Sequence, residues 1–197
     1  MEFLLSIDKA LFLFFNKSVA NPVFDVVMPF ITNKYNFFIP IGLLVLYLLI
    51  FGGTKGRIAV LLAVIIVTMS DQISSFVIKP LVHRLRPCNP KALVEGGRFL
   101  LGYKKSFSFT SSHAANMAAM ATLFSFKYPK LKTIFITIAS LVAYSRIYVG
   151  VHYPADILGG IITGMFCALL VLFVEKKVRE LWRTKITTDK NETTENL

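Results

Sequence analysis

Long runs of apolar residues, rather than an alternating pattern, dominate this chain. A membrane-spanning helix needs about 20 consecutive apolar residues, because each residue advances the helix by about 1.5 Å. Five runs approach that length, the first and third only with help from tilt or neighbouring helices. These five predicted spans are Asn36 to Phe51, Arg57 to Leu81, Ser111 to Phe126, Leu131 to Val149 and Ala155 to Val174.

The first 33 residues follow a different pattern. The apolar stretch from Leu11 to Phe15 is closely bracketed by charged residues, and the stretch from Val23 to Thr32 is short and carries Asp25. We interpret both as amphipathic helices in the membrane interface, with a sixth span through this region as the alternative. The sequence therefore predicts an all-α, integral membrane helical bundle with five to six transmembrane helices and N-terminal interfacial helices.

A single domain accounts for this layout. We expect a membrane-embedded domain over residues 1–178, with the interfacial helices in 1–33 and the transmembrane bundle in 36–174. Residues 179–197 are polar, and we expect them to form a disordered cytoplasmic tail.

Composition and charge support a bilayer as the solvent. Hydrophobic residues make up 55% of the 197 residues and charged residues 17%, less charge than a soluble domain carries. The net charge is +11, but the basic residues lie at the ends of apolar runs, which is typical of contact with anionic headgroups. This placement argues against nucleic acid as a partner. Nothing in the sequence indicates an obligate protein partner.

The basic residues also predict an orientation. Eleven of the 22 lie in the Lys55 loop, the Lys130 loop and the C-terminal tail, and eleven lie on the other side of the membrane. Three of the latter, Lys79, Arg86 and Arg146, belong to polar clusters at the helix ends and are not counted, which leaves eight. The positive-inside rule then places those two loops and the tail in the cytoplasm. Under this topology the polar ends of the second, third, fourth and fifth spans all lie at the outer face.

The first polar cluster lies at the end of the second span. Lys79 and Arg86 are seven residues apart, which predicts two turns along one helical face before Pro87 stops the helix. The same face continues inward through Ser75 and Asp71. Snorkelling cations at a helix end are the simpler interpretation of this cluster taken alone. The neighbouring His83 and Arg84 are interpreted as loop-facing or interfacial.

The second cluster, Thr110 to His113, opens the third span. Its hydroxyls occupy the helix N-cap region, where free N–H groups and the helix dipole favour phosphate. His113 could donate a proton to a leaving oxygen, or the cluster could be an ordinary cap. Asn116, one turn further on, either lines the same pocket or bonds a neighbouring helix.

The third cluster is the most specific. It contains Arg146, then His152, then Asp156 four residues later, just before and within the last span. Asp156 can bond one imidazole nitrogen and make the other more nucleophilic, while Arg146 offers a planar fork for two phosphate oxygens. Charged groups are rare at membrane segments without a function. Three such clusters at one face predict a phosphate-handling site.

These clusters resemble the three-part signature of the type-2 phosphatidic acid phosphatase superfamily of lipid phosphate phosphatases. The family pattern is Lys, six residues, Arg-Pro; then Pro-Ser-Gly-His; then Ser-Arg, five residues, His, three residues, Asp. The first and third parts match at every position, whereas Thr110 replaces the proline of the second part and Ser112 its glycine. The resemblance covers Lys79 to Asp156.

The resemblance implies a role for each matched residue. His152 would attack phosphorus, Asp156 would orient it, and His113 would act as the general acid. The phosphoryl oxygens would be held by Lys79, Arg86, Ser111, Ser112 and Arg146. Because phosphoryl transfer depends on positioning and charge neutralisation, and no carboxylate cluster indicates a metal site, we expect hydrolysis without metal or cofactor.

The loop after Pro87 carries four further cations, Lys91, Arg98, Lys104 and Lys105. They could simply face anionic lipid, but we predict that together with Asn116 they bind the substrate headgroup. We further expect a bacterial inner-membrane enzyme, with its site facing the periplasm as the predicted orientation requires. Undecaprenyl pyrophosphate is the first expected substrate, followed by lipid A 1-phosphate or phosphatidylglycerophosphate. A phosphotransferase that uses the same histidine and a non-enzymatic lipid transporter are the alternatives.

Overall fold

The apolar runs fold into helices, and the computed structural model contains no strand in the part of the chain that it describes. It describes the backbone of residues 2–195 and the side chains of residues 3–185. The helices are α1 (Glu2–Leu13), α2 (Pro22–Thr32), α3 (Phe38–Phe51), α4 (Gly53–Gln72), α5 (Lys79–Val82), α6 (Ser112–Lys127), α7 (Lys132–Tyr148) and α8 (Pro154–Glu195). The predicted all-α membrane bundle is confirmed.

Within the described residues, four helical segments are long and apolar enough to cross a membrane, namely Lys34–Phe51, Gly53–Val82, Pro129–Tyr148 and Pro154–Lys185. They correspond to four of the five predicted spans. The remaining predicted span, Ser111 to Phe126, forms α6, which at 16 residues is shorter than a typical span. The number of spans rises to five if the bent pair formed by the N-terminal helices crosses as one unit.

Helix α6 packs in the centre of the bundle, between α4, α7 and α8. Small residues permit this close packing, as is usual between membrane helices. A Cβ atom at Gly164 of α8 would lie 2.0 Å from the carbonyl oxygen of Ala115, and one at Gly160 would lie 2.6 Å from that of Ser111. Helix α6, which carries the second cluster, and helix α8, which carries Asp156, are therefore held almost in backbone contact.

The α4 helix continues through a π-helical stretch, Ile73–Ile78, into α5 and ends at Val82. We call this continuous unit the α4 rod. His83 adopts a left-handed conformation with φ of 52°, which ends the helix four residues earlier than predicted. The prediction that Lys79 and Arg86 share one helical face is therefore wrong, because Arg86 lies in the loop beyond the helix.

The N-terminal segment forms two helices that meet at an angle of 115°. Helix α1 packs against α8, and α2 packs against α7. Both predicted helices are present, and their position at the membrane interface stays a prediction.

The C-terminal segment, which was predicted to be a disordered tail, is helical in the structure. Helix α8 continues to Glu195, and ion pairs one turn apart lie where the predicted tail begins, including Arg179 with Glu175 and Lys176 with Glu180. Residues 196 and 197 lie outside the described residues.

Candidate phosphate-handling site

The three polar clusters of the sequence come together in space. The Lys79 ammonium donates a hydrogen bond to the Ser112 hydroxyl, which joins the first cluster to the second. The Ser111 N–H donates to the Asp156 carbonyl oxygen at 3.0 Å, which joins the second to the third. Arg86 Nη1 lies 2.9 Å from His152 Nε2, which joins the first to the third.

His152 lies in the short connection between α7 and α8 and is 2% exposed. Its Nε2 atom must accept the hydrogen bond from Arg86, because a guanidinium has only donors. The ring proton of the neutral imidazole is therefore on Nδ1, 3.4 Å from Asp156 Oδ2. This tautomer directs the lone pair of Nε2 toward the cations of the site.

The protonation state of His152 follows from its surroundings. Burial lowers the pKa of the imidazole to about 3, and the nearby Arg86 charge acts in the same direction. The hydrogen bond to Asp156 opposes this shift but does not cancel it. At neutral pH the imidazole is therefore uncharged, as a nucleophile must be.

Asp156 is fully buried and accepts several hydrogen bonds. The Ser108 hydroxyl and the Tyr153 N–H, at 2.8 Å, both donate to Oδ2, the oxygen that faces His152. Arg84 Nη1 donates to Oδ1 at 2.9 Å. These bonds fix the carboxylate against the imidazole, and the contributions of Ser108 and Arg84 were not predicted.

Arg84 also connects this carboxylate to the N-terminal helix. Its Nη2 atom lies 2.5 Å from Asp8 Oδ2, and its guanidinium carbon lies 4.1 Å from the centre of the Tyr153 ring. Asp8 Oδ1 in turn accepts the Ala155 N–H at 2.8 Å, at the start of α8. The interpretation of Arg84 as loop-facing or interfacial is therefore wrong. One signal was available, since Asp8 is a charged residue in the middle of a largely apolar helix.

The second cluster is bonded to the α4 rod through Thr110 and Ser112, the two residues that differ from the family pattern. Thr110 Oγ1 lies 2.9 Å from Ser74 Oγ. The Ser112 hydroxyl contacts Ser74 at 3.0 Å and Ser75 at 3.1 Å, in addition to Lys79. Ser111 is the N-cap of α6, as predicted, and its side chain accepts a long hydrogen bond of 3.5 Å from the Ala114 N–H. The substituted hydroxyls thus fix the start of α6.

His113 is half-buried in the first turn of α6. Four cations act electrostatically on its ring, namely Arg146, Lys34, Arg86 and Lys79. Lys34, which follows α2, was not among the predicted site residues. The His113 imidazole therefore lies in the same cationic surroundings as His152.

Arg146 reaches the site from the last turn of α7. Its Nη1 atom donates to the hydroxyl of Thr32, the last residue of α2, and its Nε is buried without a hydrogen-bond partner among the described residues. The N-terminal helices thus touch the site twice, through Asp8 and Thr32. No periodicity in the sequence indicates either contact.

The four predicted headgroup cations divide into two groups. Lys91, Lys104 and Lys105 are exposed on the loop that follows Pro87. Arg98 instead forms a 2.5 Å ion pair with Asp25, which also accepts a 2.6 Å hydrogen bond from the Tyr148 hydroxyl. This pair joins the loop to α2, so Arg98 is already engaged within the protein.

This arrangement offers a neutral imidazole and three cations to an anionic group. Lys79, Arg86 and Arg146 can neutralise phosphoryl oxygens, and the start of α6 adds N–H groups. Within the described residues no group of three or more His, Cys, Asp or Glu side chains has the arrangement of a metal site.

Comparison with known proteins identifies the family. The model of the PAP2 superfamily matches residues 58–180, more than half of the chain. The chain belongs to the PAP2 superfamily. The family and the enzyme class predicted from the three clusters are therefore confirmed, and this PAP2 protein is a multi-pass membrane lipid phosphatase.

Individual relatives of this PAP2 protein differ in substrate. It is 33% identical to a lipid A 4'-phosphatase of Bacteroides thetaiotaomicron over 184 residues, 90% of this chain and 81% of the relative. It is 29% identical to an undecaprenyl-diphosphatase of Bacillus subtilis over 150 residues, 76% of this chain and 74% of the relative. A crystal structure of a PAP2-type phosphatidylglycerolphosphate phosphatase from Bacillus subtilis superposes with a TM-score of 0.66 at 25% identity, covering 90% of this chain and 89% of that one.

Proposed function

We propose that this PAP2 protein hydrolyses a phosphate monoester on a glycolipid of the lipid A type, through a covalent phosphohistidine on His152. The observation that carries the proposal is the position of His152, whose Nε2 lone pair faces Arg86 while Nδ1 faces Asp156. The similarity to a lipid A 4'-phosphatase extends over more of the chain, at higher identity, than the similarity to an undecaprenyl-diphosphatase. Lipid A therefore replaces undecaprenyl pyrophosphate as the first substrate.

In the first half of the reaction, His152 Nε2 attacks phosphorus and the bond from phosphorus to the lipid oxygen breaks. A phosphoryl oxygen takes over the Arg86 N–H, which frees the Nε2 lone pair. The departing lipid oxygen receives a proton from His113, which takes up that proton as an imidazolium once the dianionic phosphate of the substrate offsets the four neighbouring cations. Lys79, Arg86, Arg146 and the Ser112 N–H group neutralise the charge on the phosphoryl oxygens, while the Ser111 N–H stays bonded to the Asp156 carbonyl oxygen.

In the second half, water attacks the phosphohistidine. His113 now accepts a proton from the water as its oxygen bonds to phosphorus. The bond between nitrogen and phosphorus breaks, inorganic phosphate leaves, and His152 returns to its neutral form. Asp156 holds the ring in position through both halves.

A phosphate-release panel in detergent with EDTA tests the substrate. We expect the highest kcat/KM for a phosphorylated lipid A, compared with undecaprenyl pyrophosphate, phosphatidylglycerophosphate and phosphatidate. A higher kcat/KM for undecaprenyl pyrophosphate would favour the second candidate, which the similarity to the undecaprenyl-diphosphatase supports. Equal amounts of free phosphate and dephosphorylated lipid are expected of a hydrolase. A shortfall of free phosphate would indicate a phosphotransferase instead.

Histidine variants test the mechanism. His152→Ala should abolish phosphate release and the acid-labile, alkali-stable labelling of the protein by a ³²P-labelled substrate. His83→Asn is the matched control, because His83 lies edge-on to Phe107 outside the clusters and asparagine tolerates its left-handed backbone. Hydrolysis by His152→Ala at the wild-type rate would overturn the mechanism.

We also propose that the site faces the outer leaflet of a bacterial inner membrane, from the distribution of the loop cations. Lys104→Cys on the exposed loop should react with a membrane-impermeant maleimide in spheroplasts, whereas Lys55→Cys should react only after lysis. Cys88 and Cys167 are buried, so their background labelling should be low. The reverse pattern would place the site in the cytoplasm.

A further inference from the structure

A row of polar side chains extends from the phosphate-handling site deeper into the bundle. On the α4 rod it consists of Lys79, Ser75 and Asp71, each four residues from the next, so that they share one face. On α6 it consists of Ser112 and Asn116, one turn apart. Ser75 Oγ lies 3.1 Å from Ser112 Oγ, and the Asn116 amide donates to Asp71 Oδ1 at 3.3 Å.

The deepest pair in this row has unused hydrogen-bonding capacity. Asp71 is half-buried, and no cation forms an ion pair with it among the side chains that the structure describes. The Asn116 Oδ1 atom is buried and has no hydrogen-bond partner among the described residues. The amide cannot turn around, because that would point its oxygen at the carboxylate. Both free atoms are acceptors.

Such a pair is costly within a membrane span unless it has a function. Ionisable side chains within spans are rare and usually face a partner, a substrate or water. Asp71 lies inside the span Gly53–Val82, and its only side-chain bond given by the structure is the 3.3 Å contact to Asn116. The missing partner must be a hydrogen-bond donor, because both unused atoms accept.

We propose that Asp71 and Asn116 form a subsite that accepts hydrogen bonds from hydroxyl or amide N–H groups on the lipid part of the substrate. The proposal rests on the function proposed above. Asn116 lies three residues after His113, so their side chains are neighbours on α6. Because His113 protonates the departing lipid oxygen, the subsite lies on the lipid side of the bond that breaks.

The subsite predicts discrimination between classes of lipid phosphate. A phosphorylated sugar lipid carries hydroxyl and amide N–H groups close to its phosphate, and phosphatidylglycerophosphate carries one nearby hydroxyl. Phosphatidate and prenyl phosphates carry no such donor in the part that departs. A site built to bond a donor disfavours an analogue that lacks it, because the buried Asn116 Oδ1 atom then stays unpaired.

The alternative is that the pair only joins α4 to α6. In that case its loss should weaken the bundle and lower turnover of every substrate equally. Ser70 supplies a matched control, because its hydroxyl is adjacent in sequence to Asp71, fully buried and without a partner among the described residues. Ser70→Ala should leave both stability and selectivity unchanged.

The test compares kcat/KM of the full chain in detergent for a monophosphorylated glycolipid with amide-linked acyl chains and for phosphatidate. For Asp71→Leu and Asn116→Ala we expect at least a tenfold loss on the glycolipid and less than a threefold change on phosphatidate. Asp71→Asn, which keeps the volume and removes the charge, serves if the leucine variant fails to fold. Equal losses on both substrates, or no loss on the glycolipid, would overturn the subsite.

Two further comparisons identify which group of the lipid is the donor, and distinguish failure of the subsite from failure of the proposed function. If these variants also lose kcat/KM on phosphatidylglycerophosphate, the donor is a hydroxyl group. If their kcat/KM on that lipid is unchanged, the donor is a sugar or amide group of the glycolipid. Either result supports the subsite, provided that kcat/KM on the glycolipid falls. If the wild-type chain hydrolyses none of these lipids, the proposed function fails. If it hydrolyses the glycolipid and Asp71→Leu does so equally well, only the subsite fails.

Discussion

Arg84 joins two carboxylates that belong to opposite ends of the chain. Its Nη1 atom lies 2.9 Å from Asp156 Oδ1, and its Nη2 atom lies 2.5 Å from Asp8 Oδ2. The Asp156 carboxylate is fully buried, and the Asp8 side chain is 8% exposed. A planar guanidinium can bridge two carboxylates in this way, whereas a single ammonium cannot match its geometry. The helix α1 is thereby connected to the carboxylate that faces His152.

We expect Arg84→Gln to lower kcat by about 10- to 100-fold, the usual cost of losing a group that orients a reactive residue. KM should change by less than about threefold, because Arg84 contacts Asp156 rather than the cations that would bind phosphate. Arg84→Lys should recover only part of the loss. The rate of phosphoenzyme formation in rapid-quench experiments measures the effect on His152 directly.

Asp8→Asn is the matched variant for this prediction. It keeps an acceptor for the Ala155 N–H but removes the charge that pairs with Arg84. Its kcat should lie between those of the wild type and Arg84→Gln. An unchanged rate of phosphoenzyme formation in Arg84→Gln would show that the bridge does not position His152.

Ser112→Gly restores the residue of the family pattern, and we expect it to separate stability from catalysis. The variant loses hydroxyl contacts to Ser74, Ser75 and Lys79, so its melting temperature should fall. The kcat/KM should stay within about threefold of wild type, because the backbone N–H remains and Lys79 is released toward the substrate.

Lys79→Ala is the comparison, and it should lower kcat/KM by at least tenfold because a cation at the phosphate is lost. If Ser112→Gly loses activity to the same extent as Lys79→Ala, the Ser112 hydroxyl itself takes part in phosphate binding.

The pKa of His152 predicts how stability depends on pH. Burial lowers this pKa to about 3, whereas the unfolded chain has an ordinary value of about 6.5. As the pH falls below 6.5 the unfolded chain takes up a proton that the folded protein excludes. The stabilisation is therefore complete above pH 6.5 and is lost progressively between pH 6.5 and pH 3.

Melting temperatures in detergent at pH 7.5 and pH 5 check this linkage. The decrease on acidification should be smaller in His152→Gln than in the wild type, since the glutamine has no proton to exclude. His83→Asn should show the wild-type decrease. Identical decreases in all three proteins would contradict a neutral, buried His152.

Local sequence patterns predicted the parts of the site that belong to single helices. The four-residue spacing of Asp71, Ser75 and Lys79 does place them on one face, and Ser111 does cap α6. The end of the α4 rod was misjudged, because the left-handed conformation of His83 stops the helix before the proline that was expected to do so.

Contacts between distant segments were beyond the reach of such patterns. Asp8 and Thr32 reach the site from N-terminal helices that were interpreted only as amphipathic helices in the membrane interface. Each contact pairs one polar side chain with a residue more than 70 positions away, and no periodicity specifies such a pair. Arg98 is a further example, since it was predicted to bind the substrate headgroup and nothing in the sequence indicated its ion pair with Asp25.

The close approach of α6 and α8 makes Gly164 sensitive to a single methyl group. In Gly164→Ala the new Cβ would lie 2.0 Å from the Ala115 carbonyl oxygen, so the two backbones must separate. We expect a loss of about 1 to 3 kcal/mol, the usual cost of overpacking. Activity should fall too, because α6 carries His113 and α8 carries Asp156. Gly42→Ala is the control, since its Cβ meets nothing within 4 Å and alanine favours the helix. Equal melting temperatures in detergent for both variants would contradict this packing.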